Sequence, residues 1–128
     1  MHPVYVHIKK ELSPFYAEEE ASAMAKWISS DILHLSTLEL YTGKDMNFST
    51  KEWEELEDIL RRLKQREPLQ YILQEASFCG MSFHVEQGVL IPRPETEELV
   101  EWIVSDYREA GQVRILDIGT GSGCIPVS

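Results

Sequence analysis

Apolar residues return every three or four positions through "YAEEEASAMAKWISSDILHL", where Ala21, Met24, Ala25, Ile28, Ile32 and Leu35 share one face. Glu18, Glu19, Lys26 and Asp31 occupy the other. That period predicts an amphipathic helix packed along its apolar stripe. A second helix is predicted over "STKEWEELEDILRRLKQRE", with Trp53, Leu56, Leu60 and Leu63 as its stripe. Ser49 and Glu52 stand at capping-box spacing at its start. Glu54, Glu57 and Asp58 precede Arg61, Arg62, Lys64 and Arg66, the charge order a helix dipole favours. Pro68 ends this helix or opens the next turn. Shorter helical pieces over Val4–Leu12 and Thr37–Tyr41 complete a small bundle, with "TGKDMNFST" as a loop before the second long helix. Trp27 and Trp53 read as packing residues, since aromatics dominate cores.

The pattern changes near residue 75. In "FCGMSFHVEQGVLIP" apolar and polar residues alternate, with Gly80 and Gly88 as turn residues, which predicts a short hairpin. "RPETEELVEWIVSDYREAG" then predicts a helix begun by Pro94, with Glu95, Glu97 and Glu98 in its early turns. Leu99, Val100, Ile103 and Tyr107 form its apolar face, and Gly111 stops it. "VRILDIG" follows as an apolar run of the kind found in a parallel strand buried on both faces.

Composition narrows the classes. Hydrophobic residues make up 43% of the 128 and charged residues 27%, which suits one globular domain or two small ones. Twelve basic against twenty-two acidic residues give a net charge of −10, which disfavours direct nucleic-acid binding. No apolar stretch approaches the ~20 residues of a membrane span. The N-terminal "MHPVYVHIKKEL" lacks a signal-peptide core, so a cytoplasmic protein with no membrane partner is expected. Cys79 and Cys124 are isolated and read as reduced thiols. His7 and Glu11 could share a helix face, but further ligands are missing nearby, and no metal site is expected.

The chemistry concentrates in "ILDIGTGSGCIPVS". After the strand come Asp117, Gly119, Gly121 and Gly123, a turn in which glycines remove side chains and let a ligand lie against the main chain. A helix following such a turn aims free N–H groups at a carboxylate or phosphate, so a cofactor with an anionic group is the expected guest. The dinucleotide fingerprint would need glycine where Cys124 stands, and the phosphate loop of nucleotide hydrolases would need lysine after Gly123. NAD and ATP therefore fit poorly. Taken alone, the turn also fits a plain strand-to-helix connection.

The stretch "REPLQYILQEASFCGMSFHVEQGVLIPRPETEELVE", followed by "ILDIGTGSGCIPVS", resembles the HemK/PrmC family. These are S-adenosylmethionine-dependent methyltransferases that modify the side-chain nitrogen of a glutamine in peptide chain release factors. The resemblance implies a mainly α N-terminal helical bundle for substrate recognition (1–75). A β-hairpin linker (76–93) and the start of an α/β Rossmann-like methyltransferase domain (94–128) then follow. It implies that Gly119, Thr120, Gly121, Ser122 and Gly123 cradle the methionine end of S-adenosyl-L-methionine, with Asp117 as the acidic end of the first strand. Pro92, Arg93, Pro94, Glu95 and Thr96 match the segment bordering the cofactor and substrate pocket. Charges and prolines at a helix start also have a purely local explanation, and both readings stay open for those side chains.

One family feature is missing. The Asn-Pro-Pro-Tyr motif, which holds the target amide toward the sulfonium methyl group, does not occur, so no catalytic residue is assigned. An amide nitrogen is a weak nucleophile, and its reaction depends on in-line positioning. The chain is therefore expected to be an N-terminal fragment, inactive by itself, of an enzyme whose partner is a release factor. The alternatives are a glutamine methyltransferase acting on a ribosomal protein, a nucleic-acid amino-methyltransferase and a non-enzymatic interaction module. A nucleotide-dependent oxidoreductase is a weaker fit.

Overall fold

A computed structural model describes residues 1–43 and 47–128. Helix α1 (Pro3–Leu12) opens on proline, whose missing N–H costs nothing in a first turn. His2 caps it, Nδ1 accepting the Val4 N–H at 3.3 Å. Helix α2 (Glu18–Asp31) starts behind three glutamates that offset its dipole. Helices α3 (Thr37–Thr42) and α4 (Thr50–Lys64) each begin with a complete capping box, Ser36 with Glu39 and Ser49 with Glu52. The loop expected over "TGKDMNFST" lies partly outside the described residues, at Lys44, Asp45 and Met46.

Helix α1 packs against both α2 and α4. Ile8, Leu12, Ala21, Ala25, Ile28, Leu56, Leu60 and Leu63 form the buried centre. Each leucine or isoleucine among them contributes about 1.5–3 kcal/mol on leaving water. Polar ties close the edges. Tyr16 Oη–H donates to the Leu63 carbonyl at 2.6 Å, and its burial pushes the phenol's pKa up. Lys64 Nζ meets Glu11 at 2.5 Å, and Arg62 donates twice to Glu67 at 2.6 and 2.8 Å.

The first long helix ends earlier than its stripe suggests. Leu35, expected on its face, lies beyond α2, as does Leu33, and both are buried. The chain turns at His34, with φ 51°, and the Leu35 N–H returns to the Ser29 carbonyl at 3.0 Å. The second stripe also shifts: Ile59 is buried, while Trp53 is 40% exposed. A short helix that the periodicity did not announce, α5 (Leu69–Leu73), follows Pro68.

The chain divides into two compact units, 1–69 and 70–128. In the second, strands β1 (Glu75–Phe78) and β2 (Met81–His84) pair antiparallel, Glu75 opposite His84 and Phe78 opposite Met81. Cys79 and Gly80 join them with φ of 48° and 72°, both in the left-handed region that a two-residue hairpin turn of the primed type requires. Helix α6 (Pro94–Tyr107) and the single turn α7 (Cys124–Val127) complete the unit. Phe78, Phe83, Val100 and Cys124 form its apolar cluster, the two phenyl rings edge to face at 6.2 Å.

One expectation is corrected here. Along α6, Val100 is buried, but Leu99 and Tyr107 are 43% and 56% exposed, because the cluster reaches only one turn of the helix. Residues 113–118 have the composition of a buried parallel strand but no parallel neighbour among the described residues, and they enter no ladder. Ile115, Leu116 and Ile118 are 67%, 82% and 86% exposed. A strand owes its hydrogen bonds to neighbours, and the sheet of the described residues holds β1 and β2 alone.

Candidate functional site

The glycine turn takes the shape its composition demands. Gly119, Gly121 and Gly123 have φ of 77°, 58° and 79°, a backbone that side-chain-bearing residues rarely adopt. A Cβ on Gly119 or Gly121 would meet nothing within 4 Å, so backbone angle and not crowding requires glycine. The Gly123 N–H donates to the Thr120 carbonyl at 3.0 Å and closes the turn, and α7 starts directly behind it. Pro126 sits in that first turn, where its missing N–H is tolerated.

The turn faces the segment entering α6 across a cavity of about 150 Å³. Leu90, Ile91, Pro92, Arg93 and Thr96 line one side, and Gly119, Thr120, Gly121, Ser122, Cys124 and Ile125 the other. Of the residues singled out in sequence, Pro92, Arg93, Thr96 and Gly119–Ser122 thus meet at one place. Pro94, Glu95, Asp117 and Gly123 do not line it. Leu90, Ile91, Cys124 and Ile125 do, and sequence reasoning did not select them. The apolar run "VLIP" and the two residues after the last glycine were the available signals.

Several ties hold these walls. Tyr71 Oη–H donates to the Val89 carbonyl at 2.6 Å, just before Leu90, and the Val89 N–H donates to the Glu86 carbonyl at 3.0 Å. The Thr96 N–H donates to the Arg93 carbonyl at 3.0 Å. Two buried polar atoms make no hydrogen bond among the described residues: Ser122 Oγ, whose residue lines the cavity, and Asp117 Oδ2, whose residue does not. Buried polar atoms are nearly always paired, so the unpaired hydroxyl of Ser122 suits a polar guest at this lining. Pockets for ligands of drug size measure about 300–1,000 Å³, so this cavity has room for only one end of such a molecule.

The helical unit carries a wider groove of about 860 Å³, bounded by Tyr5, Ala17, Glu19, Ser22, Lys26 and Tyr41 among others. The His7–Glu11 pair is split between different partners: His7 Nε2 lies 3.4 Å from Glu57, and Glu11 pairs with Lys64. Trp53 stacks edge-on against Phe48 and His7, at 5.9 and 6.0 Å.

A family model described as the PrmC N-terminal domain matches residues 5–73. The release factor glutamine methyltransferase of Bacteroides thetaiotaomicron is 47% identical over 128 residues, covering 100% of this chain and 45% of its own length. The protein of the same name from Flavobacterium psychrophilum is 39% identical over 120 residues, 91% of this chain and 42% of its own. That from Chlorobaculum tepidum is 37% identical over 131 residues, 96% of this chain and 45% of its own. The chain spans less than half the length of these curated relatives.

Proposed function

This chain belongs to the PrmC N-terminal domain family, and we propose that it forms the front part of a release factor glutamine methyltransferase. The reaction would move a methyl group from S-adenosyl-L-methionine to the side-chain amide nitrogen of a glutamine in a peptide chain release factor, in the cytoplasm. Residues 1–75 would dock the protein substrate, 76–93 would link, and 94–128 would open a Rossmann-like catalytic domain. The observation that carries this reading is the meeting of Pro92, Arg93 and Thr96 with Gly119–Ser122 around one cavity. No helix among the described residues is long and apolar enough to cross a membrane.

The residues present fit the methionine end of the cofactor. The Ser122 hydroxyl, unpaired on the lining, would donate to its carboxylate, and Asp117, whose unpaired Oδ2 lies outside that lining, would be the acid offered to its ammonium group. The Arg93 and Thr96 side chains border the same space. Gly119 and Gly121 leave the main chain bare on that side, so the ligand approaches the backbone itself. When bound, the cofactor supplies an activated methyl group on sulfur. What this chain adds is orientation, and orientation is the main demand of a reaction whose nucleophile is a weakly basic amide. The amide-holding tetrapeptide is absent, since the single asparagine, Asn47, is followed by Phe48.

A chimera tests the reading: residues 1–128 replace the matching stretch of the Bacteroides thetaiotaomicron relative, and methyl transfer to a release factor is measured. Transfer by the chimera is expected, with none by the chain alone and none after Gly121→Val. A folded chimera that binds the cofactor yet leaves the release factor unmodified contradicts it.

A further inference from the structure

We propose that Glu97 is a positioning residue: its carboxylate fixes the cavity wall at Arg93–Thr96 to the tip of the hairpin. This rests on the functional reading above only for what the cavity holds. Glu97 Oε1 accepts the Cys79 N–H at 2.8 Å in a partly buried setting. The ladder's last pair is Phe78 with Met81, so the N–H of Cys79, the first residue of the turn, has no place in the ladder. A half-buried N–H without a partner is costly, and a carboxylate gives it a charge-assisted bond stronger than a neutral one.

The start of α6 needs such an anchor. Arg93, its N-cap, makes no side-chain capping bond, and Glu95 and Glu98 make no side-chain hydrogen bond or ion pair among the described residues. Glu95 and Glu97 are the acids of the helix's first turn, and of the two only Glu97 also accepts a hydrogen bond from outside the helix among the described residues. Glu97 also stands one turn before Val100 on the same helical face. Val100 packs with Phe78, Phe83 and Cys124, and Cys79 and Ile125 pack on that cluster. The hairpin tip, α6 and the residues after the glycine turn therefore meet in one joint. Thr96, adjacent to Glu97, and Cys124 and Ile125 line the cavity. The bond at Cys79 sets where α6 begins, and so how wide the cavity opens.

Amide hydrogen exchange on the ¹⁵N-labelled chain tests this with Glu97→Ala and Glu97→Gln. In Glu97→Ala, exchange at Cys79, Thr96 and Gly123, whose N–H groups are bonded, is expected to rise tenfold or more, while β2 and the helical unit keep their protection. Glu97→Gln, whose amide oxygen still accepts, restores the slow rates. Acceleration confined to Cys79, no acceleration at all, or no rescue by glutamine overturns the proposal. A parallel titration with S-adenosylhomocysteine separates the two readings. If the unaltered chain takes none while Thr96 and Gly123 loosen in Glu97→Ala, only the functional reading falls. If Glu97→Ala binds as tightly as the unaltered chain, only the positioning role falls.

Discussion

Ser49 and Glu52 show how much a four-residue window can settle. Glu52 accepts from both the N–H and the hydroxyl of Ser49 at 2.6 Å, and Ser49 Oγ accepts the Glu52 N–H at 3.3 Å. These bonds hold the Glu52 carboxyl below the usual carboxylate range, as Lys64 does for Glu11 and Arg62 for Glu67. A carboxyl with a depressed folded-state pKa contributes stability that is present above its unfolded value, about 4.3, and lost as pH falls through the folded value. The melting temperature of the helical unit should therefore drop between neutral pH and about pH 3. Glu52→Gln, which keeps the capping bonds without titrating, should lessen that drop; an unchanged pH profile would remove Glu52 from the account. This box was readable from residue spacing because its partners lie three positions apart. Glu97 was readable only as one of three early glutamates, since its partner Cys79 is distant in sequence and is set by the hairpin's turn.

Helix α4 illustrates the same limit one level up. Its apolar period correctly marked Leu56, Leu60 and Leu63, and the hairpin's alternation with Gly80 marked β1 and β2. Periodicity places a stripe but not its borders, which depend on what packs opposite. Hence Ile59 is buried and Trp53 lies at the stripe's edge. Leu60→Ala removes a side chain only 1% exposed and should cost about 2–5 kcal/mol in chemical denaturation of the chain. A loss below about 1 kcal/mol would mean that the helical unit is not held by this centre. Helix α2 ends at Asp31 because the chain turns left-handed at His34, a backbone choice for which the apolar pattern carries no signal. Residues 113–118 have a strand's composition, but strand pairing is a property of neighbours, and composition cannot supply them.

In the molecule as a whole, chemistry and burial are divided between the two units. The helical unit holds the larger buried centre, and the unit 70–128 holds the cavity on a cluster of four buried residues. The glycine turn and the segment entering α6 were each visible in sequence as candidates. Their meeting was not, because it depends on how the hairpin, α6 and α7 pack. Leu90, Ile91, Cys124 and Ile125 entered the site through that packing, and Asp117, the acid singled out with the turn, stands outside the lining. The central claim is that this cavity receives the methionine end of S-adenosylmethionine. A titration of the ¹⁵N-labelled chain with S-adenosylhomocysteine, followed by NMR, tests it most directly. The expected result is saturable shifts at Ile91, Arg93, Thr96 and Thr120–Ser122, matched by free methionine at higher concentration and not by adenosine. Shifts confined to other residues, or equal shifts from adenosine and methionine, would contradict it.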